Sequence, residues 1–257
     1  MSNLSANSLF HFTSNLNYLE SILQNDFIPR FSLEHILESS EHPLDDIEMA
    51  FPMVCFCDIP LSQTTQHMNT YGNYAIGLSK EWGLKNRVTP VQYYYRESPN
   101  FDAFLKLLSF INENIEEDNT HKKEMTMQIL RVGLYKKIYE GSFFRGSDYL
   151  KDVVKFYDER EWRYVPELSD LVKLKLYPSL EKKDFLNKKL REDRNKSMEA
   201  LKLKFEPKDI KYIVVKEDNE IIPIVESLKK SKRKYSYEDV QIITTRIITS
   251  SQIKEDF

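Results

Sequence analysis

The chain of 257 residues contains only 6 glycines and 2 cysteines, and each scarcity excludes something. Without a Gly-rich fingerprint, the phosphate-cradling loops of Walker-type and Rossmann-type nucleotide binders are excluded. Cys55 and Cys57 stand one residue apart in an apolar run. On a strand both would face the same way, and a disulfide at that spacing is strained. With no further Cys to complete a zinc site, they read as reduced thiols of a cytosolic protein, and no metal is expected. Long apolar runs are missing too. The longest are broken by Lys, Asp or Pro, so no segment reaches the length needed to cross a bilayer. Residues 1–8 lack the basic and apolar regions of a signal peptide. These absences predict a cytoplasmic protein with no membrane partner. Charge of one sign is also lacking: 37 Lys and Arg oppose 40 Asp and Glu, a weak field that offers nucleic acid no broad attraction.

What the chain does have is aromatic residues, 15 Tyr and 15 Phe, within a 41% hydrophobic composition. That is enough for one sizeable core with an aromatic lining, so 1–257 is expected to form a single α+β domain. Residues 9–13 predict a strand, and Asn15 caps a helix over 16–24. The stretch 32–43 reads as a helical or irregular insertion, and 53–59 as a strong strand closed by Pro60. Ser62 is placed as the cap of a short helix over 63–70. A strand follows over 74–78, then a helix opening at Ser79 and stopped by Gly83, then a strand over 88–95. Helical insertions are expected at about 100–140, with a turn at 112–118, and at about 180–204. The strand-like stretch 159–165 lies between them. The C-terminal part predicts strand 210–215, helix 224–230 and strand 240–248. The basic stretches 188–194 and 229–234 are solvated faces or phosphate-holding segments.

Three clusters could carry chemistry. His11 and Thr13 share one face of the first strand, with Phe12 on the other. They could read sugar hydroxyls, or be a satisfied core histidine and an ordinary strand threonine. Tyr71 and Tyr74 sit at a helix-to-strand junction whose glycines permit close backbone approach. They could stack on a ligand ring, or be amphipathic core residues. Glu159 and Glu161 fall on one face of an extended segment, with Arg160 and Trp162 opposite. Paired carboxylates can divide the work of glycosyl transfer, and the plain alternative is an exposed salt-bridged strand.

Taken together, His11-Phe12-Thr13, the block Cys55-Phe-Cys-Asp-Ile-Pro-Leu-Ser62, the block Tyr71-Gly-Asn-Tyr-Ala-Ile-Gly-Leu-Ser-Lys-Glu-Trp-Gly83 and Glu159-Arg-Glu-Trp-Arg163 resemble the abortive-infection (phage resistance) AbiGi family in order and spacing. The likeness covers roughly residues 9–165. More distantly, the layout is similar to DarT-type enzymes and other ADP-ribosyltransferases. That resemblance implies a split mixed sheet with an inserted helical layer, and NAD as the substrate of an ADP-ribosyltransferase. It implies that His11, Phe12 and Thr13 hold the adenosine ribose or adjoining groups and that Tyr71 or Tyr74 packs on nicotinamide. Glu161 would be the catalytic acid, binding the ribose 2′-hydroxyl, while Glu159 or Arg163 positions the target. The acceptor would be a macromolecule, with RNA and DNA as candidates. The family resemblance also implies a cognate toxin or antitoxin partner, and with it a second reading: a non-catalytic antitoxin. A third is a hydrolase in which Glu161 activates water.

Overall fold

A computed structural model describes residues 5–37, 47–95, 97–114, 120–145, 148–231 and 234–256. Strand β1 (Ser8–Thr13) leads into α1 (Leu16–Asn25), capped by Asn15, whose side-chain oxygen accepts from the Asn17 amide at 2.8 Å. β2 (Arg30–Leu37) and β3 (Ile47–Cys57) follow, then α2 (Thr65–Tyr71), β4 (Tyr74–Ser79) and α3 (Lys80–Lys85). Next come β5 (Thr89–Pro90), β6 (Gln92–Tyr94), α4 (Pro99–Asn114), α5 (Thr120–Leu134) and β7 (Lys136–Ile138). The hairpin β8 (Gly141–Arg145) and β9 (Asp148–Val154) precedes a 3-10 turn (Phe156–Glu159) and β10 (Glu161–Tyr164). α6 (Leu168–Lys173), β11 (Leu180–Glu181), α7 (Lys182–Leu186) and α8 (Lys188–Ser197) lead to β12 (Ile210–Val215) and α9 (Ile221–Lys230). α10 (Tyr237–Thr244), β13 (Ile247–Thr249) and α11 (Ser250–Asp256) complete the chain.

Several expectations are corrected. The insertion expected over 32–43 is, over its described part, strand β2, because its alternating side chains pair with β3 from Arg30↔Met53 to Leu37↔Ile47; the remainder lies outside the described residues. Thr64, not Ser62, precedes the short helix α2, after a 3-10 turn at Leu61–Gln63. Gly83 lies inside α3, and the strand expected over 88–95 is two short pieces, β5 and β6. The helical stretch to 140 ends early, in β7. Residues 240–248 are mostly helix. A capping box in which Ser236 Oγ accepts from the Asp239 amide at 3.1 Å and Asp239 accepts from the Ser236 amide at 2.9 Å outweighs the β-branched run that follows.

The main sheet is mixed, in the order β13-β12-β4-β1-β3-β10-β5, with β2 and β11 also on β3. Its one parallel pair, β12 with β13, is joined by α9 and α10. On one face Leu9, Val54, Phe56, Ile76, Leu78 and Ile213 form the larger core with α1 and α9. Phe27 is its aromatic hub, with ring centroids 5.2 Å from Phe56, 5.5 Å from Phe205 and 6.2 Å from Trp82. On the other face Phe10, Phe12, Cys57, Met68 and Val214 pack with α2 and α11. The excursion from β6 to β7 returns as a parallel pair in the register Tyr93↔Lys137, anchored where the Val91 amide donates to Glu161 O at 3.0 Å. Among the described residues no helix is long and apolar enough to cross a membrane.

The turn between α2 and β4 depends on Gly72, at φ 118, where an added Cβ would lie 2.4 Å from Ser14 Cα and from Thr13 O. Gly72→Ala is expected to destabilise the fold by roughly 2–4 kcal/mol, a positive-φ penalty plus a backbone clash. Urea unfolding followed by circular dichroism checks this, and an unchanged midpoint would refute it.

Candidate active site

β1 runs beside β4 for six register pairs, but meets β3 at a single pair, Phe10↔Cys57, before the two strands part. The opening is a cleft of about 1300 Å³. Its walls include Phe10, His11 and Phe12 from β1, Cys55 to Cys57 from β3, and His67 and Tyr71 from α2, with Lys137, Glu159 and Glu161 also lining it. His11 bridges the parted strands: its Nδ1 donates to Cys55 O at 2.8 Å. Its ring stands edge-on to Phe27 and Phe56, at 5.2 and 5.8 Å. Burial lowers its pKa, and the backbone hydrogen bond only partly offsets this, so the imidazole is neutral at pH 7.

β10 supplies the charged group. Its period of two puts Glu161 and Arg163 on one face, opposite Cys57 and Cys55. Arg163 is wholly buried. Its Nε donates to Glu161 Oε1 at 2.5 Å, Nη2 to Glu34 Oε2 at 2.9 Å, and Nη1 to Leu134 O at 2.9 Å. Lys137 Nζ donates to Glu161 Oε2 at 2.6 Å and to Glu159 Oε2 at 2.8 Å, and lies 4.7 Å from the Phe156 ring centroid. The Tyr71 hydroxyl donates to Glu159 Oε1, and the Tyr93 hydroxyl accepts the Glu161 amide at 2.9 Å.

Burial opposes a charge on Glu161, but Arg163 and Lys137 together outweigh it and hold the carboxyl well below the usual range. Glu161 is therefore an anion at neutral pH, suited to accept a hydrogen bond or face positive charge rather than to donate a proton. Burial likewise works against the charge on Lys137, and is outweighed by Glu161 and Glu159, so its pKa is raised. Burial, and then Lys137, lower His67 to about 4. Burial, and then the neighbouring carboxylates, raise the pKa values of Cys57 and Tyr71, so thiol and phenol stay protonated.

The extended alternation expected of Glu159 and Glu161 is not what brings them together. Glu159 closes the 3-10 turn, Arg160 takes a left-handed φ of 44, and only then does β10 begin. Both carboxylates nevertheless meet on Lys137, and both are buried, at 8% and 5% exposure, which removes the reading of an exposed salt-bridged strand. The Tyr71 ring lies against His67, centroids 4.5 Å apart and tilted by 35°, and His67 stands edge-on to Phe12 at 5.0 Å. Tyr74 lies away from the cleft, with its hydroxyl donating to Glu220 Oε1 at 2.8 Å, and Thr13 pairs with Tyr74 outside the lining. The structure thus gathers His11, Phe12, Tyr71, Glu159 and Glu161, and leaves Thr13 and Tyr74 outside. Sequence reasoning missed Lys137, Tyr93 and Glu34, because no local pattern marks a partner contributed by another segment.

The basic stretches are largely engaged. Lys234 pairs with Asp26 and lies 3.7 Å over the Phe205 ring, Lys229 pairs with Glu226, and Arg194 lies 3.6 Å over Tyr177. Among the described residues no group of His, Cys, Asp or Glu is arranged to hold a metal ion.

Residues 25–216 match the family model described as "Putative abortive phage resistance protein AbiGi, antitoxin". The chain is also 30% identical over 254 residues to the "Abortive phage resistance protein AbiGi" of Lactococcus lactis subsp. cremoris, covering 90% of this chain and 99% of that relative. The chain belongs to the AbiGi family. No solved structure matches it. The family match spans Tyr71, Lys137, Glu159, Glu161 and Arg163, whereas His11 precedes it.

Because the Glu161 pKa is depressed below its ordinary value of 4.5, its contribution to stability is present above that pH and is lost as pH falls toward the folded pKa. At pH 7, Glu161→Gln is expected to be less stable than wild type by about 3–5 kcal/mol, because it leaves buried cations short of a partner. The gap should narrow as the pH drops below 4.5. Urea unfolding of both proteins across that range tests this, and a gap independent of pH would contradict it.

Proposed function

We propose that this chain acts in phage resistance as an ADP-ribosyltransferase. On this reading it binds NAD where β1 and β3 part and transfers ADP-ribose to a macromolecular acceptor, on an ADP-ribosyltransferase-like split sheet. The supporting observation is convergence: His11 from β1, Tyr71 from α2 and Glu161 from β10, three separate segments, meet in one cleft. At about 1300 Å³ the cleft exceeds the roughly 300–1,000 Å³ of ordinary small-ligand sites, which leaves room for a dinucleotide.

The substrate supplies a glycosidic bond whose cleavage releases nicotinamide and leaves positive charge on the ribose C1′. Glu161, held ionised, faces that charge and accepts the 2′-hydroxyl. To do so it exchanges one of its contacts with Lys137, which stays paired through Glu159. Tyr71 offers a ring face beside His67, and Glu159 receives the proton of the acceptor nucleophile as that nucleophile bonds to C1′. The products are ADP-ribosylated acceptor, nicotinamide and a proton.

The family description favours a second reading, in which the chain is an antitoxin and the carboxylate cluster holds the scaffold together. Purified chain incubated with NAD and a bacterial lysate separates the two. The transferase reading expects nicotinamide release and labelled macromolecule, reduced about 100-fold or more in Glu161→Gln. Tyr71→Phe, which removes a single hydroxyl, serves as a folded control with a smaller loss. No turnover by wild type, with neutralisation of a co-expressed partner toxin by wild type and by Tyr71→Phe, would establish the antitoxin instead.

A further inference from the structure

Four tyrosines from three segments cluster beside the cleft, one of them, Tyr95, lining it, and the functions proposed for the cleft do not use three of them. Tyr93 and Tyr95 come from β6 and its end, Tyr139 follows β7, and Tyr157 lies in the 3-10 turn before Glu159. The main chain fixes their order: the Tyr139 amide donates to Tyr94 O at 2.8 Å, and the Tyr157 amide donates to Tyr139 O at 3.1 Å. The rings form a ladder. Tyr95 and Tyr139 lie 4.7 Å apart at 30°, Tyr139 and Tyr157 lie 5.2 Å apart at 26°, and Tyr157 meets Tyr93 edge-on at 5.2 Å. The Tyr93 hydroxyl in turn holds the Glu161 amide.

The outer rungs of the ladder stay half in water, Tyr95 56% exposed and Tyr157 48% exposed, while Lys155 Nζ lies 5.4 Å over the Tyr139 ring between them. Among the described residues Tyr95 has one ring partner, Tyr139, and Tyr95 itself lines the cleft with Glu97 and Glu140. We propose that the Tyr95–Tyr139–Tyr157 ladder is a stacking platform for a nucleobase. The rings lie about 5 Å apart with tilts of 26° and 30°, and exposed aromatic side chains accept any base on its flat face. Glu97 and Glu140, which line the cleft beside Tyr95, can accept hydrogen bonds from the exocyclic amino groups of a base. The platform rests on the nucleotide reading of the cleft for its kind of ligand, but it requires no cleavage of nicotinamide.

Calorimetry on the full chain with AMP, and with ribose 5-phosphate as a control lacking the base, tests the platform. AMP is expected to bind at least about tenfold more tightly than ribose 5-phosphate. Tyr95→Ala, at an exposed position, should weaken AMP by about tenfold, and Tyr95→Phe, which keeps the ring, should not. Absence of AMP binding, equal affinities for the two probes, or equal AMP affinity in wild type and Tyr95→Ala would overturn the platform. So would a Tyr95→Phe protein as weak as Tyr95→Ala. Repeating the titration with saturating NAD identifies the source of the base: competition assigns the platform to the dinucleotide's own adenine, and undiminished AMP binding assigns it to the acceptor. AMP binding through Tyr95 without nicotinamide release would uphold the platform and defeat the transferase. Nicotinamide release with AMP binding indifferent to Tyr95 would do the reverse.

Discussion

A guanidinium stripped of water must be met on every side, and Arg163 organises this molecule because it is fully buried. Removing such a charge from water costs several kcal/mol even after relaxation, and good geometry alone offsets it. Here the compensation comes from Glu161 two residues along the same strand, from Glu34 on β2, and from the carbonyl of Leu134 at the end of α5. Three regions far apart in sequence are thereby tied to one side chain. The second cation, Lys137, extends the arrangement to Glu159 and, through it, to Tyr71 on α2. The placement of the cleft's carboxylates follows from keeping these two cations paired.

The parting of β1 from β3 is the other half of the design. A sheet that stayed paired would bury the edges of both strands and leave no cavity. With a single register pair at Phe10↔Cys57, the polar edge of β3 needs another partner, and the imidazole of His11 provides it at Cys55. The histidine does locally what a neighbouring strand does elsewhere, and the neutrality imposed by burial suits it to that task. Membership of the AbiGi family brings a description in terms of phage resistance, and the buried carboxylates lie within the stretch that defines it.

Local grammar was legible where local energetics decide. Asn15 and Ser79 cap the helices that follow them, and strands β1, β4 and β12 alternate or run apolar as their burial demands. Reading failed where a distant partner decides. β2 is a strand because β3 pairs with it. α10 is the local exception, where the Ser236–Asp239 capping box prevails over the Val and Ile that follow. In the site, the motif residues His11, Tyr71, Glu159 and Glu161 could be named, but for the two glutamates the reason for their alignment was different: the left-handed Arg160 turns the chain between them. Lys137 was invisible, since it comes from a strand of three residues whose only distinction is its register beside Tyr93.

That register has a consequence for how the chain can vary. The excursion between β6 and β7 carries both α4 and α5, yet its two ends are pinned side by side, and what the site uses lies at or next to those ends: Tyr93, the Leu134 carbonyl and Lys137. The entropic cost of closing such a loop grows only logarithmically with length, about 0.6 kcal/mol for each doubling. The helical arm can therefore lengthen or shorten widely while the ammonium group keeps its place between the carboxylates.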